Sequence, residues 1–111
     1  MANTFTRKLS RLTGTSATTV GAYTVAANTT AVVVGLSLTN VTSSAISANV
    51  SILDNASQVT NLAVNAPISA GSSLVVSGGD QKIVLITGDQ LQVSSSAATS
   101  IDVVMSIMEI T

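Results

Sequence analysis

Serine is the commonest side chain in this 111-residue sequence that could act as a nucleophile, with 17 copies beside 15 threonines. A hydroxyl attacks only when a neighbouring base takes its proton. The sequence has no His and no Cys, so the usual general base and the usual soft metal ligand are both missing. Lys82 or a carboxylate would have to serve instead, and no Gly-x-Ser-x-Gly turn presents a serine. Among the acids, Asp80 and Asp89 flank one expected strand and come nearest to a glycosidase pair. Such a pair needs a cleft with rings on which a sugar stacks, and the chain has no Trp and one Tyr. Both aspartates are expected as turn residues. Gly78-Gly79 is followed by no Lys-Ser or Lys-Thr at phosphate-loop spacing, and no calcium loop occurs. No catalytic residue, metal ligand or cofactor is expected, and the protein is read as a non-enzyme.

The other residues with pattern lie at the start. Phe5, Leu9 and Leu12 fall at i, i+4 and i+7, with Arg7, Lys8 and Arg11 around them. This spacing suggests a short amphipathic helical turn or two. One reading is a docking arm over residues 1–17 that lays its apolar side chains on a partner. The other is a frayed, solvated terminus. Three cations without stacking aromatics argue against nucleic acid as a partner. The stretch after them is rich in hydroxyls and lacks the apolar run of a signal peptide, so none is expected. No run approaches the ~20 apolar residues of a membrane helix, and no membrane partner is expected.

Residues 18–111 must supply the scaffold. Hydrophobic residues make up 46% of the chain but aromatics only 2%, so the core has to be built from Val, Ile, Leu and Ala. Charged residues are 8%, against roughly 25% in ordinary soluble domains. With a net charge of −1, little electrostatic repulsion opposes self-association. Short β-branched runs punctuated by turns predict strands over 18–25, 30–40, 45–53, 59–64, 72–77, 82–86, 90–95 and 100–110. Ile46, Ala48, Val50 and Ile52 alternate onto one face, opposite Ser47, Asn49 and Ser51. Val32, Val34, Leu36 and Leu38 are expected to share a face, as are Ile101, Val103, Met105 and Ile107. Asp54-Asn55, Gly78-Gly79-Asp80 and Thr87-Gly88-Asp89 are expected to close hairpins. The last strand also carries Val104, Met108 and Ile110 on its other face. That face is therefore expected to meet a neighbouring subunit.

The stretches Tyr23–Asn40 (YTVAANTTAVVVGLSLTN), Ala66–Val76 (APISAGSSLVV), Gly78–Leu85 (GGDQKIVL), Thr87–Val93 (TGDQLQV) and the ending Met108-Glu109-Ile110 resemble small virion structural proteins of tailed bacteriophages. The resemblance covers residues 22–111 and departs from the usual pattern at Ala26, where Pro is expected. It implies a β-sandwich accessory of the capsid, neck or tail, with no catalytic residues to carry over. Together these readings predict an all-β, antiparallel sandwich of about eight strands, jelly-roll-like, with an N-terminal arm. The expected role is a homo-oligomeric accessory at the neck or tail of a virion, touching portal, neck, tail or capsid proteins. The alternatives are a capsid decoration protein and a receptor- or carbohydrate-binding module of a fibre.

Overall fold

A computed structural model describes residues 3–77 and 82–111. Nine strands form, with no helix among the described residues. They are β1 (Asn3–Thr13), β2 (Thr18–Thr24), β3 (Thr30–Asn40), β4 (Ile46–Leu53), β5 (Val59–Ile68), β6 (Ser73–Ser77), β7 (Ile83–Leu85), β8 (Gln90–Ser95) and β9 (Ile101–Ile110). One sheet has the order β1-β9-β3-β6, with β7 also on β3, and the other runs β2-β8-β4-β5. Every pairing is antiparallel. β6 covers the end of β3 at Leu36–Thr39 and β7 covers Ala31–Val33, so the two together fill one sheet position. Counted that way, the eight positions pair first with last, second with seventh, third with sixth and fourth with fifth. That nested pairing is the jelly roll, in which a folded-over hairpin wraps so that most consecutive strands alternate between sheets.

The core lies between the sheets; its buried cluster holds no aromatic residue, and Tyr23 packs against its margin. In β4, Ile46, Ala48 and Val50 are buried and Ile52 is partly so, as the alternation predicts. In β9, Ile101, Val103, Met105 and Ile107 are all buried. β3 departs from expectation. Ala31 and Val33 are buried, and not Val32 and Val34, while Leu36 and Leu38 point inward as expected. A bulge between Val33 and Gly35 explains this, because one extra residue moves every later side chain to the other face.

The turns divide in the same way. Asp54 closes the β4–β5 hairpin, its Oδ1 accepting from the amides of Ala56 and Gln58, both at 2.9 Å. Thr87-Gly88-Asp89 is tight but does not close a hairpin, since β7 and β8 lie in different sheets. Asp89 holds this turn, with Oδ2 accepting from the Ile86 amide at 2.9 Å. Gly88 is required there. Its φ is +89°, and a Cβ would sit 2.7 Å from Cβ of Asn55 in the neighbouring hairpin. The expected hairpin at Gly78-Gly79-Asp80, and Asp80 as a partner for Asp89, lie outside the described residues.

The largest difference from the sequence reading is at the start. Residues 3–13 form no helical turn; they are β1, an edge strand paired along β9. Phe5, Arg7 and Leu9 share a face because a strand places i, i+2 and i+4 together. An isolated helix of this length is marginal, whereas β9 offers a preformed ladder of backbone partners.

Candidate assembly face

The outer face of the β1-β9-β3 sheet is built from cross-strand rows. Phe5 of β1 stands opposite Met108 of β9, which stands opposite Val32 of β3, which stands opposite Val84 of β7. In the parallel row, Leu9 faces Val104, then Ser37, then Val75. Between them runs Arg7, Ser106 and Gly35, a row with one charge and almost no bulk. Ile110 continues the face beyond Met108. Phe5 is 73% exposed, Val75 66%, Val84 58%, Leu9 49% and Val104 44%, while Met108 and Ile110 are half-buried. Directly opposed side chains sit ~5 Å apart, so the first row is a continuous apolar strip, and the second is apolar except at Ser37. Contiguous patches of this kind mark surfaces that bind something.

The structure thus brings together most residues singled out in the sequence. Phe5, Arg7 and Leu9 of the expected arm lie on the same face as Val104, Met108 and Ile110 of the expected subunit contact. Val32, Val75 and Val84 join them. Their only sequence signal is that β3, β6 and β7 are apolar on consecutive residues, as strands covered on both faces are. Arg11 and Leu12 sit in a bulge at the end of the face, where the register shifts between Ser10 and Thr13. Asp102 Oδ1 accepts from the Leu12 amide there at 2.9 Å, and a shallow groove of about 360 Å³ opens between Leu9, Arg11 and Val104.

Lys8 does not belong to this face. It points inward from β1, with Nζ 4.9 Å from the centroid of the Tyr23 ring. The Tyr23 hydroxyl in turn donates to Glu109 Oε2 at 2.6 Å. Burial first, and then the carboxylate of Glu109, push the Tyr23 phenol well above its ordinary value.

The opposite outer face has a different chemistry. Gln92 Nε2 donates to Thr19 Oγ1, Thr19 Oγ1 donates to Gln90 Oε1, and Asn49 Nδ2 donates to Ser94 Oγ. It is an uncharged network of amides and hydroxyls. Its edge strand β5 exposes Val59 and Val64, but two register shifts and Pro67 interrupt its ladder. Bulges and proline are devices by which sheet edges resist pairing. Among the described residues, no group of three or more His, Cys, Asp or Glu side chains is placed to hold a metal ion.

No protein-family model matches this chain, and no curated protein matches it. Solved structures do. A pilus protein from Bacillus endospore appendages, described as disulfide-linked pili, superposes with a TM-score of 0.51 at 17% identity. The match covers 99% of this chain and 87% of that one. The virus-like particle of Macrobrachium rosenbergii extra small virus matches with a TM-score of 0.50 at 8% identity, covering 99% of this chain and 79% of that one. The infectious bursal disease virus particle gives a TM-score of 0.50 at 15% identity, over 96% of this chain and 30% of that one. At these identities the shared property is the jelly-roll sandwich.

Proposed function

We propose that this protein is a non-enzymatic structural subunit that assembles with copies of itself into a particle or appendage. Within that class, we assign it to the virion of a tailed phage, as an accessory at the neck or tail. The observation that carries the structural role is the apolar outer face of the β1-β9-β3 sheet, where Phe5, Leu9, Val104, Val75 and Val84 stand exposed on a chain with nine charged residues. Leaving such a surface in water costs ~25 cal/mol for each Å² of apolar area, and contact with another copy recovers that cost. The solved structures with this sandwich come from a pilus, a virus-like particle and a virus particle, which supports an assembly role. The phage assignment rests on the resemblance carried by Tyr23–Asn40, Ala66–Val76 and Thr87–Val93. The N-terminal residues Phe5, Arg7 and Leu9 dock as part of this face.

Sedimentation tests the reading. The purified protein is expected to form a closed oligomer at micromolar concentration that high salt does not dissolve, because the driving term is hydrophobic. Val104→Lys together with Met108→Lys is expected to give smaller species with an unchanged circular dichroism spectrum. Both side chains lie on the outer face, so the buried Val103, Met105 and Ile107 are undisturbed. A wild-type protein that sediments as a monomer overturns the proposal. Electron micrographs of particles with and without the protein then place it at neck, tail or capsid.

A further inference from the structure

The apolar core is complete without β1. No side chain from 3–12 belongs to the buried cluster or to the partly buried apolar residues packed against it. Thr6, Lys8 and Ser10 point inward, and all three are polar. What holds β1 is its backbone ladder along β9, together with a few local contacts. Ser10 Oγ accepts from the Gly21 amide at 2.9 Å, Lys8 stands over Tyr23, and the Leu12 amide donates to Asp102. Each of these groups is offered identically by every other copy of the chain.

The strand also has a hinge in the right place. Thr13 is buried, and its carbonyl accepts from the Ser100 amide at 3.0 Å, so the chain is anchored there. Two residues earlier the ladder breaks, and Leu12 adopts φ +53°, a left-handed conformation that a leucine disfavours. Straightening this bulge relieves Leu12 and swings Asn3–Ser10 away from its own sheet. Short strained hinges of this kind invite exchange of an element between copies.

We propose that β1 is an exchangeable strand, in which Asn3–Ser10 of one copy pairs with β9 of a second copy in the same register, with Arg11 and Leu12 as the hinge. Pairing within one chain has the advantage of a high effective concentration. Exchange is therefore expected where copies are already held side by side, and to that extent it rests on the association proposed above. Within a closed ring every copy gives one strand and receives one, so no ladder is lost. Exchange then fastens subunits by backbone hydrogen bonds in addition to apolar contact.

The absence of cysteine allows a clean test on the full chain. Ser10 and Val103 are directly opposed and both face inward, where contact between outer faces cannot join them. A Ser10→Cys protein and a mass-tagged Val103→Cys protein are mixed, and oxidised at a concentration where sedimentation shows the oligomer. A covalent heterodimer joined at 10 and 103 is expected, formed roughly tenfold faster than between Thr6→Cys and Val103→Cys chains, which also face inward but are out of register, because residence in register replaces chance collision with a high effective concentration. Inward and outward pairs alternate between the two antiparallel geometries, so Leu9→Cys with Val104→Cys supplies the second spacing. Both double variants within one chain calibrate closure. If either closes within a chain while no in-register heterodimer appears in the oligomer, exchange is overturned and association stands. If neither closes within a chain, the β1–β9 register is wrong and the proposal falls with it. A sample that sediments as a monomer and yields no heterodimer overturns both.

Discussion

Asn40 shows how much one buried polar side chain can organise. It is fully buried, and its Nδ2 donates to the carbonyl oxygens of Ser44, Ile68 and Ser69, while Oδ1 accepts from the amide and hydroxyl of Thr42. One side chain thereby closes the β3–β4 connection and ties it to the end of β5. Asn40→Ala removes all of these bonds, including the buried one to the Ile68 carbonyl, and is expected to cost about 1–3 kcal/mol in urea unfolding. The two faces of β4 give a sharper contrast. Val50 is fully buried whereas Ser51 lies on the outer face, so Val50→Asp is expected to cost about 3–5 kcal/mol and Ser51→Asp only about 0.5. Equal losses in the two unfolding curves would mean that the strand register is wrong.

β1 meets β2 and β9 through the contacts of Lys8, Tyr23 and Glu109, and Gly21 makes that approach possible. Its φ is +60°, and a Cβ there would lie 2.7 Å from Cβ of Lys8. Gly21→Ala is expected to loosen β1, read as faster amide exchange along 3–10, while the amides of β3 and β4 keep their protection. Tyr23 supplies a second handle on this junction. Its phenol is held above the ordinary value of 10.0, so the folded state favours the protonated form. That contribution is therefore whole below pH 10.0 and is lost as pH rises beyond it. Tyr23 is the only tyrosine, so an absorbance titration at alkaline pH reads it directly. The midpoint is expected above that of a free tyrosine, and Glu109→Gln is expected to lower it part of the way, because burial is the larger cause. Lys8 stands over the same ring, so the comparison is repeated with Lys8→Met.

For the whole molecule, the chemistry of the outer faces follows from the order of the strands. The jelly-roll pairing puts the first strand beside the last, which merges the amphipathic N-terminus with the outward residues of β9 into one surface. It leaves the other sheet faced with amides and hydroxyls over β2 and β8, with the exposed Val59, Leu62 and Val64 on its interrupted edge strand β5. The proposed association is therefore expected on one side of the sandwich. A protein with Phe5→Ser, Val75→Thr and Val84→Thr is expected to stay folded and to sediment as smaller species. The same number of substitutions at Gln90, Gln92 and Ser94 should leave the oligomer intact. If both sets weaken it equally, the second face takes part as well.

The sequence by itself determined the all-β class, eight of the nine strands and the absence of any aromatic core, because period-2 alternation and turn residues are local properties of the chain. It also marked Phe5, Leu9, Val104 and Met108 as side chains in need of cover. It misread β1 as helical because apolar residues at i and i+4 fit either period, and only the ladder offered by β9, some ninety residues away, selects the strand. The burial of Val33 in place of Val34 was likewise invisible. A bulge is a mismatch between two paired strands, and neither strand encodes it alone. The joining of two apolar stripes into a single face was decided by the tertiary pairing of first strand with last. Distance along the chain carries no information about that pairing, and burial of the common core between two sheets does.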